Sequence, residues 1–105
     1  MIIDSSVAMA ILLREPDAER FERVIEASFE QRIPRRISAA SILECEIVSR
    51  RRLGDLGSTK LDNLLTLLRA QVVPFDADQL RWAWIEHPLA VTTFISRTTK
   101  ARSFA

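Results

Sequence analysis

Cysteine, glycine and proline are scarce in this 105-residue chain, and tyrosine is absent. Cys45 is the one cysteine, which excludes an internal disulfide and a zinc site built on several cysteines. Two glycines and four prolines predict few long loops and many helices. No apolar run approaches the roughly 18 residues that span a membrane, and no secretory signal opens the chain. We therefore expect a cytoplasmic protein without membrane association.

Charge is balanced overall but unevenly distributed along the chain. The net charge is +1, so bulk electrostatics does not indicate a nucleic-acid partner. Hydrophobic residues make up 48%, enough for one domain with its own core. All fourteen acidic residues lie at or before Glu86, whereas residues 87–105 carry three basic residues and no acid. This change in composition predicts that the tail differs in origin from the rest of the chain.

The first six residues predict a very short buried strand that ends on a carboxylate. Ile2 and Ile3 are followed by Asp4, two serines and the apolar run 7–13. Ligands of open α/β sheets collect at the carboxyl ends of strands, and a carboxylate there needs a cation, donors or water. Asp4 is thus a candidate site residue, although the same residue type is favoured as a helix N-cap.

Apolar periodicity and breaker residues predict strand, helix, helix, strand, helix, helix, strand, helix. We expect Gly54 and Gly57 to mark a turn, Ser58 or Thr59 to open the next helix, and Leu80, Ala83 and Trp84 to face the core. Pro88 should end the last of these helices by the preceding residue. This alternation is typical of a three-layer α/β domain with a parallel sheet.

Glu44 is the second candidate, because it lies on a largely apolar helix and its face is expected to be partly buried. Ser41 and Glu44 also match a capping box, in which Glu44 bonds to its own helix start. If Asp4 and Glu44 meet, their mutual repulsion requires a proton or a bridging cation. Hard oxygen ligands of this kind favour Mg²⁺ or Mn²⁺.

For several other polar residues, the sequence leaves two interpretations open. Ser5 and Ser6 could orient a water or phosphate beside such an ion, or serve as turn and cap residues. The basic run 50–52 could contact RNA phosphates or be a solvated helix end. Trp82 and Trp84 cannot both share the inward face of one helix, so one of them could contact a partner. His87 fits a helix end better than a ligand position.

Three segments in order resemble a known family. The segment 1–16, with Met-Ile-Ile-Asp-Ser-Ser and Arg-Glu-Pro, resembles the start of PIN-domain ribonucleases of the VapC toxin type. Residues 37–44 resemble the second motif, and residues 72–78 resemble the third strand with its following helix. The resemblance covers roughly residues 1–84.

This resemblance implies a three-layer α/β/α PIN-like domain and a metal-dependent endoribonuclease that uses Mg²⁺ or Mn²⁺. Asp4 and Glu44 match the first and second metal-site acids, and Ser6 matches a substrate-orienting hydroxyl beside the first. Asp76 matches a helix cap and takes no catalytic role. The implied partners are a VapB-type antitoxin, the RNA substrate and a second copy in a homodimer.

The family pattern stops near Trp84, because the family's third and fourth acids have no counterpart after Glu86. We therefore expect a PIN-like domain over residues 1–86, incomplete at its C-terminus, and a divergent tail over 87–105. Our hypothesis is a truncated or frameshifted gene, testable by reading the encoding DNA in the other frames. The alternatives to an active toxin are a non-catalytic remnant that binds an antitoxin or a paralogous toxin, and an unstable pseudogene product.

Overall fold

The computed structural model describes residues 1–103, with side chains through Ser96. Phe104, Ala105 and the basic side chains of the predicted tail lie outside that description. The elements in chain order are β1 Ile2–Ile3, α1 Ser5–Leu12, α2 Ala18–Glu30, β2 Arg36–Ser38, α3 Ala39–Leu53, α4 Asp55–Leu68, β3 Gln71–Val73, α5 Ala77–Glu86 and α6 Pro88–Ser103. The predicted order of strands and helices and the α/β class are confirmed.

The three strands form one parallel sheet in the order β1-β2-β3. The register pairs Ile3 with Ile37 and Ile37 with Val72. Ile3 and Ile37 are almost fully buried, so this row faces the helices and anchors the sheet to the core. Parallel strands end at the same edge of a sheet, and the residues that follow β1 and β2 are therefore neighbours.

The main core lies between the sheet and helices α1 to α4. Its buried members include Ile11, Ile25, Ile42, Cys45 and Leu61. Short polar side chains start the helices next to this core: Ser38 Oγ accepts a 3.0 Å bond from the Ser41 backbone N–H. These caps fix where the chain turns from strand into helix.

The expectation that Gly57 lies in a turn is wrong, because α4 begins at Asp55 and contains it. A Cβ on Gly57 would lie 2.2 Å from the Ser49 carbonyl oxygen of α3. A glycine at position 57 therefore allows α3 and α4 to pack closely. Gly54, with φ 62°, ends α3. The predicted start at Ser58 or Thr59 is wrong for the same reason.

The predicted inner face of α5 is only partly correct. Ala83 is fully buried, but Leu80 and Trp84 are 43% and 52% exposed, and Trp82 is exposed as well. The small Ala83 packs beside Leu43 of α3 and Val91 of α6, which leaves the larger side chains outside. As expected, α5 ends before Pro88.

Within the segment after Glu86, Pro88–Ser103 form α6, which packs against α3. Val91 and Phe94 are buried, and the Phe94 ring meets Phe75 edge to face with centroids 5.5 Å apart. Arg50 Nη2 donates a 2.8 Å bond to Thr93 Oγ1. The division of the chain at residue 86 stays a prediction, but the start of this segment lies on the core.

Within the described part of the chain, no helix combines the length and apolar character that crossing a bilayer requires.

Candidate functional site

Asp4 follows β1 directly and caps α1. Its backbone is extended, with φ −93° and ψ 172°, and its Oδ1 accepts a 3.0 Å bond from the Val7 N–H. The side chain is exposed at the carboxyl end of the strand. The capping interpretation and the site interpretation of Asp4 therefore describe the same geometry, because the cap holds the carboxylate at the sheet edge.

Ser6 supports the same carboxylate. Its hydroxyl donates a 2.6 Å hydrogen bond to Asp4 Oδ1. This bond, followed by the Val7 N–H, lowers the pKa of Asp4 from its ordinary value of 3.8 by stabilising the charged form. Asp4 is thus ionised at neutral pH, as a hard metal ligand must be.

Glu44 reaches the start of α1 from the first turns of α3. Ser5 Oγ donates a 2.6 Å hydrogen bond to Glu44 Oε2, across 39 residues of chain. The Cys45 thiol lies 3.8 Å from the Ser5 carbonyl oxygen, so the first turn of α1 lies against α3. Since Ser5 is the neighbour of Asp4, this contact places both carboxylates at one end of the sheet.

The capping-box alternative for Glu44 does not occur. The N-cap of α3 is Ser38, one turn earlier than Ser41, and Ser41 donates its N–H to the Ser38 hydroxyl. Glu44 consequently lies beyond the first turn, and its side chain bonds to Ser5 of another helix.

The donor set fits a hard divalent cation. Asp4 and Glu44 offer carboxylate oxygens, and two bonds to one Asp4 oxygen leave that carboxylate with acceptor capacity, because it has about four lone-pair sites. Among the described residues, no group of three or more His, Cys, Asp or Glu side chains could surround a metal. Water would have to complete the coordination.

The sequence left the role of Ser5 open and did not predict its hydrogen bond to Glu44. Its hydroxyl matches both a turn residue and a site residue, and only the packing of α1 on α3 decides between them. The adjacency to Asp4 was the available signal.

Glu46, two positions after Glu44, points elsewhere. It is fully buried, and its Oε1 accepts bonds from Arg50 Nε at 2.7 Å and from Ser58 Oγ at 3.1 Å. Residues two apart on a helix do not share a face. Glu46 therefore joins α3 to α4 and takes no part in the site.

The remaining sequence candidates are spread over the surface. His87 ends α5, where its ring meets Trp82 edge to face at 5.4 Å. Arg51 and Arg52 are exposed in the last turn of α3, whereas Arg50 is held by Glu46 and Thr93. The structure does not bring these residues to the carboxylates.

Comparison with known proteins gives two results. Residues 1–86 match the PIN domain family. The chain is 42% identical over 79 residues to VapC ribonuclease Mb0640 of Mycobacterium bovis and to ribonuclease VapC30 of Mycobacterium tuberculosis, and 40% identical to ribonuclease VapC of Mycolicibacterium smegmatis. These matches cover 75% of this chain but only 57 to 58% of the relatives.

Proposed function

This chain belongs to the PIN-domain family, and from that premise we propose that it is a metal-dependent endoribonuclease, the toxin of a VapBC-type pair. One observation carries the proposal: Ser5, the chain neighbour of Asp4, donates a hydrogen bond to Glu44, so that two carboxylates 40 residues apart stand at the carboxyl end of the sheet. The similarity to VapC ribonucleases over three quarters of the chain supports it. The resemblance of residues 1–84 implies the same activity.

In this proposal each residue has a distinct task. Asp4 and Glu44 would hold a Mg²⁺ or Mn²⁺ ion, which supplies an activated water and charge stabilisation at the scissile phosphate. Ser6 holds Asp4 ionised and oriented, and Ser5 orients Glu44 through its hydrogen bond. The Ser5 hydroxyl holds Glu44 against the start of α1, next to Asp4 in the chain, so that little ordering is needed when a metal binds.

The test is cleavage of single-stranded RNA with Mg²⁺ or Mn²⁺. We expect Asp4→Asn and Glu44→Gln each to lower the rate at least a hundredfold, since each removes a charged metal ligand. The matched controls are Asp17→Asn at the N-cap of α2 and Glu19→Gln within it, two exposed acids that pair with nearby arginines. Equal loss in the controls, or cleavage that survives in both site variants, would contradict the assignment.

Metal binding is measured separately from activity. Calorimetric titration of the protein with Mn²⁺ should show one weak binding site. This site should be lost in Asp4→Asn and retained in Asp17→Asn. Heat of binding that is unchanged in Asp4→Asn would place the ion elsewhere.

A groove between α1, α2 and α4 supports an antitoxin partner. It encloses about 380 Å³ and is lined mainly by apolar side chains, including Ile11, Ile25, Phe29 and Leu64. Arg14 and Glu22 pair at its rim. An amphipathic helix of a VapB-type antitoxin would place its apolar face there.

One observation favours the second candidate, a non-catalytic remnant that binds an antitoxin or a paralogous toxin. Among the described residues, no third His, Cys, Asp or Glu joins the two carboxylates to complete a metal site. Under this alternative the chain captures its partner but leaves RNA intact with either metal. Homodimer formation stays a prediction.

A further inference from the structure

The two carboxylates of the site are held by unequal numbers of donors. Asp4 has a short side chain, and its Oδ1 accepts bonds from the Ser6 hydroxyl and the Val7 N–H. Glu44 has a longer side chain, which has more rotamer freedom to lose when it is fixed. Among the residues whose side chains are described, Glu44 accepts one hydrogen bond, from Ser5, and forms no ion pair. The position of the Glu44 carboxylate therefore depends on one hydroxyl.

The Ser5 hydroxyl has no task within its own helix. Hydroxyls farther along a helix often bond to a carbonyl oxygen of the preceding turn, as Ser28 does in α2 and Thr66 does in α4. Ser5 is the first residue of α1 and has no preceding turn, and the capping of this helix is done by Asp4. The hydroxyl is consequently available for the contact with α3.

Ser5 is itself fixed by the core. The fully buried Cys45 donates from Sγ to the Ser5 carbonyl oxygen at 3.8 Å, and Glu44 accepts from the Ser5 hydroxyl at 2.6 Å. Two consecutive residues of α3 thus contact the backbone and the side chain of the same serine. The donor is anchored by packing, and the Glu44 carboxylate is held where this anchored donor lies.

The hydrogen bond from Ser5 engages one particular oxygen, Oε2 of Glu44. A hydroxyl at 2.6 Å from an ionised carboxylate forms a strong, charge-assisted bond. Oε1 receives no hydrogen bond from a residue whose side chain is described. Glu44 therefore presents one oxygen to a cation, while its second oxygen is occupied by the serine.

A carboxylate that offers one oxygen suits Mg²⁺ better than Ca²⁺. Mg²⁺ requires nearly octahedral ligands at about 2.0–2.1 Å, keeps several waters and is often bound through one or two carboxylates. Ca²⁺ takes roughly six to eight oxygens at about 2.3–2.6 Å and can use both oxygens of one carboxylate. A fixed Glu44 with an engaged Oε2 therefore favours the smaller ion.

We propose that Ser5 determines the metal specificity of the site, because it holds Glu44 as a one-oxygen ligand and thereby favours Mg²⁺ over Ca²⁺. The proposal rests on the proposed function, which assigns the metal site to Asp4 and Glu44. Ser5 is a positioning residue, since it acts through Glu44. Hydrogen-bonding partners of metal ligands commonly control metal affinity by about 10- to 100-fold.

The test is displacement of Mn²⁺ from the full chain by Mg²⁺ or by Ca²⁺, measured by electron paramagnetic resonance without RNA. In Ser5→Ala the Mg²⁺ affinity should fall about tenfold, as expected when a metal ligand loses its hydrogen-bonding partner. The Ca²⁺ affinity should stay the same or rise, because the freed Oε2 becomes available for two-oxygen binding. The ratio of Mg²⁺ to Ca²⁺ affinity should thus fall about tenfold. Ser5→Thr keeps the hydroxyl and should keep the ratio.

Ser58→Ala is the matched control, because it also removes a hydroxyl that donates to a carboxylate, that of the buried Glu46 at 3.1 Å. It should lower the free energy of unfolding and leave the ratio of the two affinities unchanged. Equal weakening of both ions in Ser5→Ala would indicate a merely structural role and overturn the proposal. The same shift of the ratio in Ser58→Ala, or in Ser5→Thr, would overturn it as well.

Failure of this proposal is distinguishable from failure of the nuclease assignment. A parent chain that binds no Mn²⁺ would reject the metal site, and the specificity proposal with it. Mn²⁺ binding with an affinity ratio that Ser5→Ala leaves unchanged would reject only the role of Ser5. A shifted ratio in a chain that cleaves no RNA would keep the role of Ser5 and reject the nuclease.

Discussion

At the scale of single residues, Asp4 performs two tasks with one side chain. It caps α1 directly after β1, and it carries the charge that the proposed metal site needs. Ser6 and Val7 donate to the same oxygen, which makes the ionised form the stable one. Where a strand turns directly into a helix, one carboxylate can therefore both cap the helix and serve as a metal ligand.

The lowered pKa of Asp4 predicts how stability depends on pH. The charged form is favoured by folding, so its contribution is complete above pH 3.8 and is lost as pH falls through the lowered pKa of the folded state. Asp4→Asn keeps a capping oxygen but cannot ionise. Urea unfolding in EDTA should show the parent more stable than Asp4→Asn at pH 5, with a smaller difference at pH 2.5. A difference that does not change with pH would contradict the role of the charge.

At the scale of elements, the packing of α3 against α4 depends on Gly57, because glycine has no side chain. Gly57 allows the Ser49 carbonyl to approach, and this proximity lets Ser58 reach the buried Glu46. Helix propensity alone disfavours glycine here, by roughly 1 kcal/mol relative to alanine. Tertiary packing outweighs that preference, which is why the sequence pattern placed Gly57 in a turn.

Gly57→Ala should therefore destabilise the chain despite its better helix propensity. The added Cβ overlaps backbone, and overpacking of this kind costs about 1–3 kcal/mol. Gly54→Ala is the comparison, since a Cβ there meets nothing within 4 Å and only the φ of 62° is strained. Chemical denaturation of both variants measures the difference. A Gly57→Ala variant as stable as the parent chain would show that α3 and α4 can separate without penalty.

Sequence reasoning predicted the elements well and their contacts less well. Ile3 and Ile37 are recognisable as strand residues because apolar runs and flanking polar residues are local signals. The partner of Glu44 is not local: Ser5 lies 39 residues away, and the capping box was an equally good local match. The same limit explains Leu80 and Trp84, because periodicity identifies a helix face but not whether a neighbour covers it.

At the scale of the whole molecule, the compositional change after Glu86 does not coincide with a change in packing. Ala90, Val91 and Phe94 are buried against residues from earlier elements. The acid-free composition sets this segment apart in sequence, and the apolar face of α6 joins it to the domain. Residues 88–94 therefore contribute to the core that supports the site.

Substitution of Phe94 tests whether this segment unfolds with the domain. Phe94→Ala should lower the free energy of unfolding by about 3 kcal/mol or more, as loss of a buried aromatic ring does. Ile95→Ala, at a neighbouring exposed position, should change it by less than about 0.5 kcal/mol. Denaturation followed by circular dichroism should show one transition shifted as a whole. An unchanged main transition in Phe94→Ala would mean that the tail is a separate unit.

The hydrogen bond from Ser5 to Glu44 also has a consequence for the order of events in folding. Closing a loop of 39 residues costs chain entropy that only the assembled core can offset. A nascent chain that has produced only the first two helices holds one of the two acids, and nothing yet gathers a metal. The proposed metal site can therefore assemble only after α3 docks, whereas the helices themselves can form in microseconds.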